Sequence, residues 1–214
     1  LLPMVEEIVK MSGLDLQETD AIAIAAGPGS FTGLRIGSAT AKGLGLALKK
    51  PIVPVSTVDA LAYNMYGTDC LVCPIMDARR NQVYTGIYEF VKEDVQGDEA
   101  DKNASAAFCK YQLKVIKEAC AVPIEEITQV LNEAGRKVIF LGDGVPVFTE
   151  QLKTLMKVDY SFAPAHLALQ KAGCVASLGM EKFRNGIYED AAMHSPEYLR
   201  LSQAERERKE AGLL

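Results

Sequence analysis

The glycine-rich segment at residues 27–37 is the part of this chain whose residue types and spacing come closest to a binding motif. Glycines allow positive φ angles and close backbone approach, and amide groups at the start of a helix attract anions such as phosphate. The segment follows an apolar run and precedes a stretch of small residues, as a turn from a buried strand into a helix does. Its candidate anion or nucleotide contacts are Gly27, Gly29, Ser30 and Thr32.

The spacing in this segment matches neither of two familiar nucleotide-binding motifs. A P-loop requires Lys directly after its last glycine, and Leu34 follows Gly33 here. A Rossmann fingerprint counted from Gly27 requires its third glycine where Thr32 stands. A purely structural turn and an anion-binding turn therefore both stay open on the sequence.

The histidines and serines form no recognised catalytic motif. The sequence has two histidines, His166 and His194, and no H-E-x-x-H or H-x-x-x-H pair, which excludes a histidine-ligated metalloprotease on this segment. Each histidine fits an ordinary surface or core residue. Ser30 lacks the G-x-S-x-G context of a hydrolase nucleophile.

Two further clusters favour structural roles. Cys70 and Cys73 form a C-x-x-C, but they lie in a predicted strand with no second pair, so we expect core cysteines rather than a zinc or redox site. Asp77 with Arg79 and Arg80 at a predicted hairpin turn either binds an anion or forms surface ion pairs.

Hydrophobic periodicity predicts an α/β chain that changes character near Gly67. Strands alternate with helices before that point, and a hairpin opens the part after it. The predicted first lobe is 1–66 and the second is 67–214, with the last helix packing back on the first lobe. The predicted strands are 21–26, 52–55, 71–76, 83–90, 111–117 and 137–141; the predicted helices are 32–49, 56–66, 123–133, 146–156 and 165–183; 92–103 is predicted to be an exposed loop.

The helix after the glycine-rich turn has a ridge nearly without side chains. Gly33, Gly37, Ala41 and Gly45 recur every four residues, and glycine inside a helix costs about 0.5–1 kcal/mol relative to alanine, so the ridge needs a packing reason. A second helix approaching closely would supply it, from this chain or from another. The N-terminal residues Leu1, Met4, Val5, Ile8 and Met11 follow the pattern of an amphipathic helix that ends at Gly13.

Composition limits the classes of function. The chain has 214 residues, 49% of them hydrophobic, and a net charge of −5, which argues against a large nucleic-acid footprint on this chain alone. Its five cysteines are scattered, which favours a reducing, cytoplasmic compartment, and no apolar run reaches the length of a membrane span. Because Leu1 lies inside a helical pattern, we expect the opening strands of the first lobe to be missing.

Several motifs in order along the chain resemble those of the TsaB (YeaZ) family. The first is the segment 27–37 with its continuation Ala41-Lys42-Gly43-Leu44 and Pro51 to Ser56. The others are Leu1-Leu2-Pro3, Asp77-Ala78-Arg79-Arg80 with Val83-Tyr84, Leu141-Gly142-Asp143-Gly144, and Pro196 to Arg200 with Ala204-Glu205. Together they cover nearly the whole chain.

This resemblance implies the two-lobe fold of the actin, hexokinase and heat-shock-chaperone superfamily, with ribonuclease-H-like lobes. It also implies a paralogous partner, TsaD, which transfers threonylcarbamoyl to the adenosine next to the anticodon of tRNA. TsaD-type proteins hold a metal with H-x-x-x-H, and Thr57 and Leu61 stand at those positions here, so no metal site is expected. The chain thus resembles a non-catalytic scaffold subunit.

The partner seam implied for this family lies on the first two helices. We expect it to consist of Leu1, Met4, Val5 and Ile8 with Gly33, Gly37, Ala41 and Gly45. TsaE is expected in a larger complex, tRNA is expected to be reached only through that complex, and the seam could pair two copies of this chain when TsaD is absent.

The resemblance leaves nucleotide binding and catalysis open. We expect no tightly bound cofactor; if ATP or ADP binds near the partner interface, the expected contacts are the 27–32 turn and Gly142, Asp143 and Gly144. The alternative functions are a nucleotide-dependent enzyme of the superfamily, an ATPase or small-molecule kinase, and a peptidase that acts on TsaD. Asp143 alone is thin support for the Mg²⁺ site of a kinase.

Overall fold

The computed structural model describes residues 1–93 and 110–199. The chain divides into two compact units by its internal contacts. The first unit contains residues 1–60 and the described residues from Lys171 onward, and the second contains residues 61–170.

The helices and strands of the described residues are numbered here in chain order. The helices are α1 (Leu2–Ser12), α2 (Phe31–Leu48), α3 (Thr57–Ala62), α4 (Ile124–Ala134), α5 (Val145–Leu155) and α6 (Ala172–Arg184). The strands are β1 (Ile22–Gly27), β2 (Ile52–Ser56), β3 (Leu71–Asp77), β4 (Gln82–Lys92), β5 (Tyr111–Pro123), β6 (Val138–Leu141) and β7 (Tyr160–Phe162).

The first unit is built on the parallel pair β1 and β2, in which Ile22 lies opposite Ile52. Helices α2 and α6 both pack on these strands. In α6, a Cβ built on Gly179 would lie 2.5 Å from the Ala23 Cβ, so this helix approaches the strand backbone closely. The Lys182 ammonium donates to the Pro54 carbonyl at 3.0 Å and ties the same helix to β2.

The residues around α2 define its ends. Ser30 is the N-cap, and its hydroxyl accepts from the Gly33 amide. The helix ends at Leu48 because Lys49 takes a left-handed conformation, with φ 56°, and Pro51 cannot continue a helix. The eighteen residues of α2, between Ser30 and Lys49, contain the predicted small-residue ridge.

The second unit is a five-stranded sheet in the order β5-β4-β3-β6-β7. The first three strands are antiparallel neighbours, whereas β3, β6 and β7 run parallel to each other. This arrangement matches the predicted ribonuclease-H-like lobe. Its core is formed by fully buried apolar side chains of the sheet and of α4 and α5, among them Ile75, Phe140, Ile127 and Leu152.

The C-terminal boundary of the lobes differs from the prediction of 67–214 for the second lobe. The described residues from Lys171 onward group with residues 1–60, because α6 packs on β1 and β2. As predicted, the last helix packs on the first lobe, and the described residues that follow it belong to the same unit.

The predicted continuous helix 165–183 is wrong. A short 3-10 turn covers Ala165–Leu167, and α6 begins only at Ala172. The Asn64 side-chain amide donates to the carbonyls of Leu167 and Leu169, both at 2.8 Å, and these bonds hold the intervening residues out of a helix. Strand β7 was not predicted, β5 extends beyond the predicted 111–117, and most of the predicted loop 92–103 lies outside the described residues.

Glu89 on β4 carries a small charge network in the second unit. A hydrogen bond from Arg136 and one from Lys114 lower the pKa of the Glu89 carboxyl, so these contacts stabilise the fold above the usual carboxyl pKa and are lost as the pH falls. We expect Glu89→Gln to reduce the free energy of unfolding by about 0.5–1 kcal/mol at neutral pH, and by much less near pH 3. Urea unfolding at both pH values checks this; an equal loss at both would contradict the assignment.

Candidate partner interface

The predicted small-residue ridge turns inward along α2. Gly33 is exposed and Gly37 is half-buried, whereas Ala41 and Gly45 are buried in the first unit. A Cβ built on Gly45 would lie 2.7 Å from the Ala191 Cβ and 3.0 Å from the Lys50 carbonyl oxygen. Ala41 and Gly45 were predicted to contact the partner, and this prediction is corrected here. They pack inside the first unit, because the chain's own residues already fill the space beside them.

The exposed face of α2 is displaced from that ridge. Five of its exposed residues follow alternating spacings of four and three, which keep them on one face of the helix. Ile36 is 54% and Leu46 57% exposed, and no atom lies within 4 Å of a Cβ built on Gly43. This surface is named the outer face of α2 and consists of Thr32, Ile36, Ala39, Gly43 and Leu46.

Helix α1 is exposed on nearly every side. Leu1, Met4 and Ile8 are 56%, 67% and 64% exposed, and no residue of the helix is buried. Val5 is half-buried. The apolar residues predicted for the partner seam on this helix are therefore accessible, and large exposed apolar patches are typical of protein-interaction surfaces.

The turn at residues 27–32 is packed against the chain itself. Gly27 has φ 140°, and a Cβ built there would collide with the Glu197 carbonyl oxygen. The Glu197 amide donates to the Ala26 carbonyl at 2.8 Å, and the Phe31 and Tyr198 rings lie 5.1 Å apart. Close packing of the residues near Glu197 thus accounts for glycine at position 27. Gly29 and Ser30 lie in the same turn, and Thr32 follows in the first turn of α2.

The turn at Gly142, Asp143 and Gly144 belongs to the second unit and follows β6. The Gly142 amide donates to the Ala168 carbonyl at 2.8 Å, and the Gly144 amide donates to the Ile75 carbonyl at 3.0 Å. Gly142 has φ 114°, and a Cβ there would collide with the Ile75 carbonyl oxygen. Two of the three amides of this turn therefore serve the chain's own fold.

The Asp77 cluster forms a local ion pair. The Arg79 guanidinium lies 3.1 Å from the Asp77 carboxylate, which also accepts from the Arg79 amide at 2.7 Å. Arg79, Arg80 and Asn81 all have positive φ angles near 60° and form the tight turn between β3 and β4. Of the two roles left open for this cluster, the surface ion pair is the one these contacts form.

A buried polar chain in the first unit was not predicted. His194 is 1% and Ser38 4% exposed, and the His194 Nε2 and the Ser38 Oγ share a hydrogen bond of 3.0 Å. The His194 Nδ1 bonds the Glu189 carboxylate at 2.5 Å, and the Lys42 ammonium donates to the His194 carbonyl at 2.9 Å. Ser38 and His194 are 156 positions apart, so no local motif announces the pair.

The hydrogen-bonded series Ser38–His194–Glu189 has the order of groups found in the catalytic triad of serine hydrolases, but it lacks the other features of such a site. A hydrolase serine must reach its substrate and must lie beside donors that stabilise an oxyanion. Ser38 is buried in the interior of α2, where the backbone amides donate within the helix. The contacts therefore act as a structural lock between α2 and the segment that carries His194.

Metal-binding groups are not clustered in residues 1–93 and 110–199. No three His, Cys, Asp or Glu residues of these ranges are placed to hold a metal ion. Thr57 and Leu61 lie on α3, Leu61 is fully buried, and His166 is exposed on a 3-10 turn. Burial raises the pKa of the Cys73 thiol to about 12, so this cysteine of the C-x-x-C stays protonated.

Among the described residues, no helix combines the length and the apolar composition that a bilayer crossing requires.

Most of this chain is similar in sequence to proteins of one family. The family described as "TsaD: tRNA N6-adenosine threonylcarbamoyltransferase" matches residues 1–208. The chain is 32% identical over 206 residues to the tRNA threonylcarbamoyladenosine biosynthesis protein TsaB of Bacillus subtilis, with 95% of this chain and 80% of that protein covered. It is 35% identical over 141 residues to the TsaB of Haemophilus influenzae, with 64% and 56% covered.

The fold of this chain is similar to solved structures of the same family. A Pseudomonas aeruginosa protein titled as uncharacterized with similarity to peptidase YEAZ superimposes with a TM-score of 0.71 at 28% identity, covering 94% of this chain and 82% of that one. YeaZ from Pseudomonas aeruginosa gives 0.68 at 27% identity, covering 93% and 83%. These likenesses confirm the predicted actin-like α/β fold class, and the chain belongs to the TsaB (YeaZ) family.

Proposed function

We propose that this chain is a non-catalytic scaffold subunit in the biosynthesis of threonylcarbamoyladenosine in tRNA, and that it activates a TsaD-type transferase by pairing with it. The names of its TsaB relatives support the pathway. The match to the TsaD family supports the choice of partner, because two chains of one fold can pair through equivalent surfaces.

The outer face of α2 is the observation that carries this proposal. It offers exposed apolar side chains along an eighteen-residue helix, with Gly43 at a point where a second helix backbone can approach closely. The exposed apolar side chains of α1 provide further area for the same partner. The seam is thus proposed to use Leu1, Met4 and Ile8 with the outer face of α2, in place of Ala41 and Gly45.

The burial of the Ser38 hydroxyl supports the proposed scaffold role. A peptidase acting on TsaD would need an accessible nucleophile or a bound metal, and the hydroxyl of the Ser38–His194–Glu189 chain is covered by protein. A kinase or ATPase would need groups for nucleotide phosphates and Mg²⁺. We propose that the complex supplies both the transfer chemistry and the tRNA surface, with TsaE joining in a larger assembly.

We further propose that the chain alone holds no adenine nucleotide tightly, and that ATP or ADP binds at the partner interface. The reason is that two amides of the 142–144 turn already donate to the chain's own carbonyls. Calorimetric titration of the isolated protein with ATP and Mg²⁺ is expected to show no binding tighter than about 1 mM, roughly 4 kcal/mol. Micromolar binding of ATP by the isolated protein would contradict this.

Reconstituted tRNA modification tests the proposed function. TsaD from the same organism is supplied with threonylcarbamoyl-adenylate and tRNA, with and without this protein, and threonylcarbamoyladenosine is measured by mass spectrometry. We expect this protein alone to form none and to raise the yield of TsaD strongly. Full modification by TsaD without it, or modification by this protein alone, would contradict the scaffold role.

A further inference from the structure

The residues at 189–198 lie along the whole length of α2. At one end Glu189 and Ile52 exchange two backbone hydrogen bonds of 2.9 and 3.0 Å. Ala191 then packs against Gly45, near the C-terminal end of α2. At the other end Tyr198 contacts Phe31, the first residue of the helix. This stretch, the 189–198 segment, therefore runs antiparallel to α2.

His194 fixes the middle of the 189–198 segment to the middle of α2. Its side chain bonds Ser38, and its carbonyl accepts from Lys42, one turn further along the helix. Buried polar groups are costly unless paired, so these bonds strongly favour one register of the segment on the helix. The Glu189 carboxylate completes the pairing of the imidazole.

The side chains that the segment turns outward are suited to a protein contact. Met193 is 74% and Tyr198 43% exposed, and Phe31 beside Tyr198 is 44% exposed. Asp190 and Glu197 are also exposed, and residues 189–198 contain no Lys or Arg. Tyrosine and methionine are enriched in interface cores, whereas the carboxylates favour a partner surface that carries Lys or Arg.

We propose that the 189–198 segment forms the second half of the partner surface, beside the outer face of α2. The partner element that fits is an amphipathic helix whose apolar ridge lies on α2 and whose basic flank faces Asp190 and Glu197. His194 is the positioning residue that holds this half in place. The inference rests on the proposed function, since it assigns the segment to the same TsaD-type partner.

Paired methionine variants test this surface. Met193→Ser in the segment is compared with Met180→Ser on α6, where the methionine is 50% exposed. The affinity for TsaD is measured by calorimetry at two salt concentrations. We expect Met193→Ser to weaken binding about tenfold and Met180→Ser to leave it unchanged. Glu197→Gln is expected to weaken binding at the lower salt concentration and to reduce the salt dependence of the affinity.

Variants of the lock separate positioning from general stability. We expect His194→Gln to speed amide hydrogen exchange at residues 190–198 in the free protein and to weaken TsaD binding about tenfold, with exchange in the second unit unchanged. Lys42→Met, which removes one bond of the lock, is expected to act in the same direction with a smaller effect.

The outcomes that overturn the proposal are distinguishable from one another. If Met193→Ser and Glu197→Gln bind TsaD like the wild type while Ile36→Asp does not, the segment is no part of the surface and the proposed function stands. If Ile36→Asp also binds normally, the outer face of α2 is no part of the interface either. If the wild type does not bind TsaD at all, the proposed function itself fails. A homodimer that Met193→Ser weakens, with TsaD binding unchanged, would assign the segment to a second copy and overturn the inference.

Discussion

Replacing Ile36 by Asp is expected to weaken the association with TsaD by at least about 100-fold. Ile36 is 54% exposed at the centre of the outer face of α2, so the substitution costs the free protein little. In the complex, the carboxylate would be buried in an apolar helix seam without a partner charge, which is strongly unfavourable. Calorimetric titration with TsaD measures the loss.

The matched control is Met180→Asp, which places the same charge at a methionine of α6 that is 50% exposed. Both variants should keep the thermal midpoint of the wild type to within a few degrees. Equal affinities of Ile36→Asp and Met180→Asp for TsaD would remove the outer face of α2 from the interface.

Gly45→Ala and Gly43→Ala are expected to change stability in opposite directions. The new Cβ at position 45 would lie 2.7 Å from Ala191 and 3.0 Å from the Lys50 carbonyl, so the packing must shift, at a cost of about 1–3 kcal/mol. At position 43 the Cβ meets open space, and alanine should stabilise the helix by about 0.5–1 kcal/mol. Urea unfolding midpoints of the two variants measure the difference.

A larger side chain at position 43 is expected to prevent binding. Gly43→Leu would fill the place where the partner backbone approaches and should abolish complex formation without lowering the stability of the free protein. If Gly45→Ala were as stable as Gly43→Ala, the inward direction assigned to the small-residue ridge would be wrong.

Helix geometry explains why the small-residue ridge was predicted correctly as a helix feature although its second half, Ala41 and Gly45, packs inside the chain. A step of four residues turns the helix by about 40° beyond a full circle, so three steps rotate the ridge by about 120°. Gly33 is accordingly exposed and Gly45 buried, although both belong to one sequence pattern. Spacing alone defines the pattern, and tertiary packing determines which part of it reaches solvent.

The contacts of His194 could not be predicted from the sequence, for a different reason. Serine at position 38 lies in a helix of small residues, and histidine at position 194 lies in a loop without a motif. Their hydrogen bond joins residues 156 positions apart, and only the packing of the 189–198 segment on α2 creates it. The α/β alternation and the hairpin at β3 and β4, by contrast, depend on local periodicity and were predictable.

The mass of the complex with TsaD tests the central claim most directly. The protein and TsaD from the same organism are mixed in equal amounts, separated by size exclusion and measured by light scattering. The scaffold account predicts one species containing both chains in equal number, which Ile36→Asp separates into its components. Two unassociated species from the wild-type mixture would contradict it.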